Sequence, residues 1–288
     1  MKKSTRTMMT SKDIGRLALE AMLVEVSVTP KPGLVDRNNS GAHSDMGFFT
    51  FLKSAAGLRG WFDVFAEAGQ NASREGISPA ELFLELRRIG IEAERDMFTA
   101  TGGINTHKGE IFSLGVLSAC AGYCAGEVTA EEVMRLAGEV CAGLCGRDFA
   151  GVEDKRNPTK GERVYIEHGI TGIRGEAEAG YPCVRDAGLP ALTKYLADGL
   201  TMNDALAFTL LHIMAVNQDT NIIARHDIST SREVMSTAQR LIDGRPSLED
   251  LLRLDAEYIS RNISPSGSAD LLAATYFLYA LTHSIPNC

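Results

Sequence analysis

The chain has 288 residues, 44% of them hydrophobic, and a formal net charge of -8; that length suits one large domain or two small ones, with a core that needs no covalent staples. The acidic balance argues against a nucleic-acid partner or an anionic membrane surface, both of which call for a basic face. No apolar run is long enough to span a bilayer.

The N-terminus, MKKSTRTMMTSKD, starts basic but has no apolar segment of the secretory kind, so residues 1–12 read as a frayed tail and the chain as cytoplasmic. From Asp13 to Val28, apolar residues recur at helical spacing and stop at Pro30. The stretch TPKPGLVDRNNSGAHSDM (29–46) is then an irregular loop carrying Lys31, Asp36, Arg37, His43 and Asp45. A second helix is expected from Asp45 to Ala68, and a third is capped by Ser78 with Pro79 in its first turn. A small-residue helix runs from His107 to Ala125, and Thr129 opens another with the capping pattern TAEE. The polar stretch 151–164 is a loop candidate at the rim of a site. Further helices are expected at 175–198, 202–225, 231–243, 247–262 and 268–283. No segment sustains period-two alternation, and a short apolar piece such as RVYIE has no strand to pair with. The expected fold is all-α: a single domain over 1–288 of roughly ten helices, with a polar site built from the loops between them.

The cysteines pose a choice. Cys120 with Cys124, and Cys141 with Cys145, have C-x3-C spacing that puts each pair on one helix face. Their neighbours are Ala, Gly and Leu, and zinc knuckles use tighter spacing on turns. Packing residues at a helix seam are therefore preferred to a metal site. Cys183 and Cys288 complete the set. His212, on an apolar face without an acidic neighbour in sequence, reads as a core histidine.

Four polar segments interrupt the helical pattern. The first is the 29–46 loop. The second is TGGINTHKGEIFSLG (101–115), in which Asn105 or Thr106 can cap a helix whose first turn carries His107 and Lys108. A glycine pair, free helix amides and these cations could cradle a phosphate, although the Walker A spacing is absent; an ordinary capped helix with solvated side chains is the competing reading. The third is HGITGIRGEAEAGYP (168–182), with Arg174, Glu176 and Glu178; two residues apart, the glutamates face different ways, so at most one aims where Arg174 does. The fourth is NQDTNIIAR (217–225), where Asp219, Asn221 and Arg225 join a strongly apolar helix. A buried charge needs a partner, so these residues pair with one another or hold a metal or phosphate.

These segments, with NISPSGSADLL, occur in the order found in the triphosphoribosyl-dephospho-CoA synthase family, which this chain resembles from about residue 15 to 280. The resemblance implies transfer of the triphosphoribosyl group of ATP to the 2′-hydroxyl of 3′-dephospho-CoA, with release of adenine. The product would be the precursor of the prosthetic group of citrate lyase acyl carrier protein, or of its malonate decarboxylase relative. It implies Mg2+ as cofactor, ATP and dephospho-CoA as substrates, and a functional link to the acyl carrier protein and its transferase; a homodimer is compatible with it. On this reading Lys31, Asn105, His107, Lys108, Arg174 and Arg225 bind ATP phosphate. Asp36, Asp45 and Asp219, then Glu25 and Asn221, are metal ligands. Glu176 is the expected base, with Asp36 second, and His43 orients a carboxylate or protonates the leaving base. One departure stands out: the family commonly has Arg-Gly-Gly where this chain has Arg225, His226 and Asp227. Two other readings need similar residues: a Mg-dependent hydrolase of ADP-ribose type, and a non-catalytic nucleotide or CoA carrier.

Overall fold

The computed structural model describes residues 9–124 and 128–283. Its α-helices are α1 (Ser11–Ser27), α2 (Phe48–Gly57), α3 (Trp61–Glu75), α4 (Pro79–Thr101), α5 (Lys108–Tyr123), α6 (Ala130–Val140), α7 (Leu144–Asp148), α8 (Lys160–His168), α9 (Ile173–Glu178), α10 (Leu189–Ala197), α11 (Met202–Val216), α12 (Thr220–Arg225), α13 (Ile228–Asp243), α14 (Leu248–Ser260) and α15 (Ser266–Thr282). No strand occurs among the described residues, so the all-α expectation holds; RVYIE lies inside α8. Most of the tail expected at 1–12, and Cys288, lie outside the described residues.

The helix count exceeds the expected ten because long predicted helices break where the backbone demands it. The helix expected from Asp45 to Ala68 becomes α2 and α3, parted at Gly60, whose φ of 91° no helix accommodates. The one expected at 175–198 breaks after α9, where Gly180 and Tyr181 both have positive φ, and resumes as a π turn over Val184–Gly188 leading into α10. The one expected at 202–225 breaks between α11 and α12, where Asp219 caps the second piece. At Gly60 the apolar periodicity continues across the break, whereas the other two breaks fall inside the polar segments 168–182 and 217–225.

Three helices form the interior. α5, α11 and α15 are buried on nearly every face, as expected of helices with no polar stripe. The others are amphipathic and wrap them. α3 crosses α5 almost backbone to backbone: a Cβ on Gly69 would lie 1.9 Å from the Ala119 carbonyl oxygen, and one on Gly122 would lie 2.1 Å from that of Ala66. The small-residue character of α5 is thus a packing requirement. Cys120 and Cys141 are buried in this apolar interior as free thiols. Burial pushes Cys141 up to about 12 and the half-buried Cys124 up to about 11, as it does for thiols packed among apolar neighbours. His212 is only half-buried, so it stands at the edge of the core expected to hold it; it hydrogen-bonds Tyr195 at 3.0 Å, and burial, with Lys194 next, lowers its pKa.

Candidate active site

The polar segments meet where the C-terminal end of α1, the N-terminal ends of α5 and α15, and the turn before α12 come together. They enclose a cleft of about 440 Å³. α1 brings Glu25, the first turn of α5 brings Lys108 and Glu110, and α15 brings Asp270; the α11–α12 turn brings Asp219, with Asn221 and Arg225 following. The 29–46 loop supplies His43 and Asp45, α9 supplies Glu176, and Lys160 enters from the start of α8. The 151–164 stretch therefore does reach the rim, through Lys160.

The floor of the cleft is acidic and poorly neutralised. Glu25 is buried and paired with the equally buried Lys31. Glu110 is only 2% exposed, and its Oε2 has no hydrogen-bond partner. Burial raises the pKa of Glu110 well above the usual carboxylate range, and the charges of Glu25 and Asp270 raise it further, against the opposing pull of Lys31. Asp270 is raised in the same way, by burial and then by Glu25 and Asp219. Glu25 is also raised, because burial outweighs the attraction of Lys31. Such groups hold protons, or they await a positive charge. The local packing is close: a Cβ on Gly109 would lie 1.9 Å from Asp270 Oδ2, so a larger residue there would displace that carboxylate.

The rim carries charge of both signs. His43 Nε2 is 2.9 Å from Ser264 Oγ, and its Nδ1 lies 3.4 Å from the Arg225 guanidinium and 3.7 Å from Asp45. Burial, with Arg225 next, lowers the His43 pKa, so the ring is neutral near neutral pH. Glu176 accepts hydrogen bonds from Cys183 N at 3.1 Å and Sγ at 3.0 Å, and burial raises its pKa. Asp219 caps α12 through Asn221 N at 2.9 Å and ties it to α15 through Ser268 N at 2.9 Å. Asn105 sits at the cleft wall and accepts weakly from Lys108 N at 3.4 Å, the capping role expected of it.

Of the expected site residues, the cleft therefore gathers Glu25, His43, Asp45, Asn105, Lys108, Glu176, Asp219, Asn221 and Arg225. Four others stand elsewhere. Lys31 is sealed beneath the floor against Glu25, so its ammonium acts on the carboxylates and meets no phosphate. Asp36 is buried in its own turn, where it accepts from the backbone of Lys31, Asn38 and Asn39 at 3.2, 2.7 and 2.9 Å; those bonds hold the loop, and Asp36 does not line the cleft. His107 is fully buried, with Nδ1 2.6 Å from Ser54 Oγ. Burial lowers its pKa to about 3, so it brings no charge to a phosphate. Arg174 turns away from the cleft to Asp148, at 2.8 Å. Glu178 binds the backbone of Gly143 and Cys145 at the start of α7, so only Glu176 of the two glutamates faces the cleft.

Sequence reasoning passed over Glu110, Asp270 and Lys160. The available signal for the first two was a carboxylate standing in a helix otherwise built of apolar and small residues, where an unpaired charge is costly. The His226–Asp227 pair contributes no cleft lining: Asp227 caps α13 through Thr230 N at 2.7 Å, and His226 Nε2 meets the Asn262 carbonyl at 2.9 Å. Neither residue has positive φ, so this turn does not require glycine.

A Mg2+ ion suits this donor set. Glu25, Glu110, Asp219 and Asp270 offer hard oxygens at the cleft, and Glu110 Oε2 is buried without a partner. Among the described residues, no three His, Cys, Asp or Glu side chains converge closely enough to cage an ion.

A family model described as ATP:dephospho-CoA triphosphoribosyl transferase (CitG) matches residues 11–287. The chain belongs to this family. It is 41% identical over 270 residues to a 2-(5''-triphosphoribosyl)-3'-dephosphocoenzyme-A synthase of Klebsiella pneumoniae, covering 90% of this chain and 88% of that one. No solved structure matches the chain. Within the family's span lie the acidic floor and the rim of the cleft, and no helix of the described residues is long and apolar enough to cross a membrane.

Proposed function

We propose that the chain transfers the triphosphoribosyl group of ATP to the 2′-hydroxyl of 3′-dephospho-CoA and releases adenine. The family match over residues 11–287 carries this reading, and the cleft supplies residues suited to each part of the reaction. The bond between the ribose anomeric carbon and adenine N9 breaks, and a bond from that carbon to the acceptor oxygen forms. Positive charge develops on the sugar, and the carboxylates of Glu25, Glu110 and Asp270 present the field that stabilises it. Glu176 takes the hydroxyl proton; its raised pKa makes it a stronger base than an ordinary carboxylate. Lys108, Lys160 and Arg225 at the rim meet the triphosphate. A Mg2+ ion held by Glu110 and Asp270, with Asp219 beside them, would neutralise and orient the phosphates. The product then serves as prosthetic-group precursor for citrate lyase acyl carrier protein, in the cytoplasm.

Mass spectrometry of the protein incubated with ATP, dephospho-CoA and Mg2+ tests the reading. A CoA adduct formed together with one equivalent of adenine is expected. Free ribose triphosphate would make the protein a glycohydrolase, and ATP binding without adenine release would make it a carrier. Calorimetric titration with ATP, with and without EDTA, tests the metal separately: affinity should fall when the ion is removed.

A further inference from the structure

A second cavity of about 240 Å³ adjoins the cleft, and Lys108, Gly109 and Ile173 line both. This side pocket is apolar within, lined by Phe83, Leu86, Phe112 and Val116. Ile91 of α4 also lines it and is 55% exposed, a large aliphatic side chain left in water beside an apolar hollow. The polar groups on its wall are different in kind. Arg87 and Arg174 converge on one carboxylate, Asp148, at 2.5 and 2.8 Å. Arg87 lies over the Phe83 ring at 5.3 Å and Arg174 over the Phe149 ring at 5.5 Å. Aromatic faces and a shared carboxylate hold both guanidiniums in place. Two cations on one anion leave a positive charge uncompensated, and both side chains remain partly exposed, with N–H donors to spare.

We infer that this side pocket takes the pantetheine arm of 3′-dephospho-CoA, while Arg87 and Arg174 hold the adjoining pyrophosphate. The inference rests on the acceptor named above. That acceptor runs from ribose to pyrophosphate to a branched aliphatic carbon bearing two methyl groups, and then into the rest of the arm. The protein offers the same sequence of chemistry: the cleft where the ribose hydroxyl must react, a guanidinium pair, and an apolar hollow. Arg174 therefore acts on the acceptor's phosphates and leaves the triphosphate of ATP to Lys108, Lys160 and Arg225. The pocket also gives the enzyme a means to prefer dephospho-CoA over a bare nucleoside diphosphate, which carries the same ribose and phosphates but no arm.

Two variants and two acceptors test this. The acceptors are dephospho-CoA and ADP, with ATP as donor and the adducts followed by mass spectrometry. Gly90 lines the pocket from within α4; a Cβ there meets only Phe65 Cζ, at 3.9 Å, so Gly90→Leu fills the hollow without a backbone clash. It should lower kcat/KM for dephospho-CoA by about tenfold or more, the scale on which buried aliphatic groups are discriminated, and lower that for ADP far less. Arg87→Gln should lower kcat/KM for both acceptors together, since both carry the pyrophosphate. Equal losses toward both acceptors in Gly90→Leu would put adenine in the pocket and overturn the assignment. Wild-type values for dephospho-CoA in Gly90→Leu or in Arg87→Gln would also overturn it. Should Gly90→Leu fail to melt cooperatively, Arg87→Gln decides: loss toward both acceptors supports the pocket and no loss removes it. If the wild type forms no adduct with dephospho-CoA, the proposed reaction itself is wrong, a result distinct from a wild type that works and variants that match it.

Discussion

The 29–46 loop and the helical floor both concentrate buried charge, and they use it in opposite ways. In the loop, Asp36 accepts three backbone N–H groups, Asn39 accepts from Gly41 N at 2.6 Å, and Asp255 binds Gly33 N at 2.9 Å and Asn39 Nδ2 at 2.8 Å. These bonds hold an irregular path. On the floor, Glu110 Oε2 has no partner; burial raises Glu25, Glu110 and Asp270, and the charge of Glu25 raises the other two further. Polar density along a sequence therefore marks a loop that must support itself. Chemical readiness lies where helices place carboxylates without satisfying them, because an unsatisfied buried charge survives only if something else requires it.

The largest effect that would break this contrast belongs to Glu110→Gln. Adenine release should fall by about 10²–10⁴, the range for a group acting on the transition state. In Mg-free buffer the same variant should melt at a higher temperature than the wild type. A carboxylate whose folded pKa is raised contributes stability at low pH and loses it as pH rises through that raised value; glutamine removes the loss. Turnover near normal with a lowered melting temperature would make Glu110 a structural residue and the floor no different from the loop.

Asp36→Ala should show the opposite pattern. Leaving three backbone donors unsatisfied costs stability, about 1–3 kcal/mol for a buried group, while the KM for ATP should hold. Denaturant melts and initial rates measured on the same preparation separate the two. A dead enzyme with an unchanged melt would return Asp36 to the catalytic role the sequence suggested.

That suggestion shows what was legible. The all-α class followed from period-3.6 patterns, and most helices fell where apolar spacing put them. The break at Gly60 did not show, because a positive φ leaves no mark on apolar periodicity, whereas that at Gly180–Tyr181 fell inside the polar 168–182 segment. The segments that form the cleft were all visible as interruptions of that periodicity. Which side chain in each segment faces the cleft depends on long-range packing. Lys31 and Lys108 look alike in sequence, yet one is sealed against Glu25 and the other bridges to Glu94 at 2.8 Å on the cleft wall. Glu110 and Asp270 stood within recognisable segments, but each is an isolated acid in an apolar helix, and neighbouring residues do not reveal that the two helices bring them together.

His107 sharpens the contrast through acid stability. Its folded pKa is lowered to about 3 by burial, against an unfolded value of about 6.5. The stability it contributes is present above the unfolded value and drains as pH falls toward the folded one. His107→Asn, which can keep a partner for Ser54 Oγ, should lower the melting temperature near neutral pH and flatten its decline between about pH 6 and 4. An unchanged slope in a series of melts across that range would show that the acid sensitivity resides in other groups.

The smallest effect belongs to the cysteine seam, which is the control for both regions. Cys120 is fully buried and its thiol is pushed up by burial first and then by Cys141 and Cys124, while Cys124 stands at the end of the same helix face. Neither lines the cleft or the side pocket. A buried thiol in this setting packs as a small hydrophobe, so truncating Cys120 to Ala removes one polarisable atom and leaves a void smaller than a methyl-sized cavity of the kind that costs about 1 kcal/mol. Cys120→Ala with Cys124→Ala should therefore lower the melting temperature slightly, release no zinc, and leave the rate of adenine release and both substrate KM values near those of the wild type. Elemental analysis of the purified protein, run beside the melts and rates, decides the matter. Zinc lost together with activity would mean that the seam is a metal site brought together by a rearrangement of α5 and α6, and that unsatisfied carboxylates are not this protein's sole chemical resource.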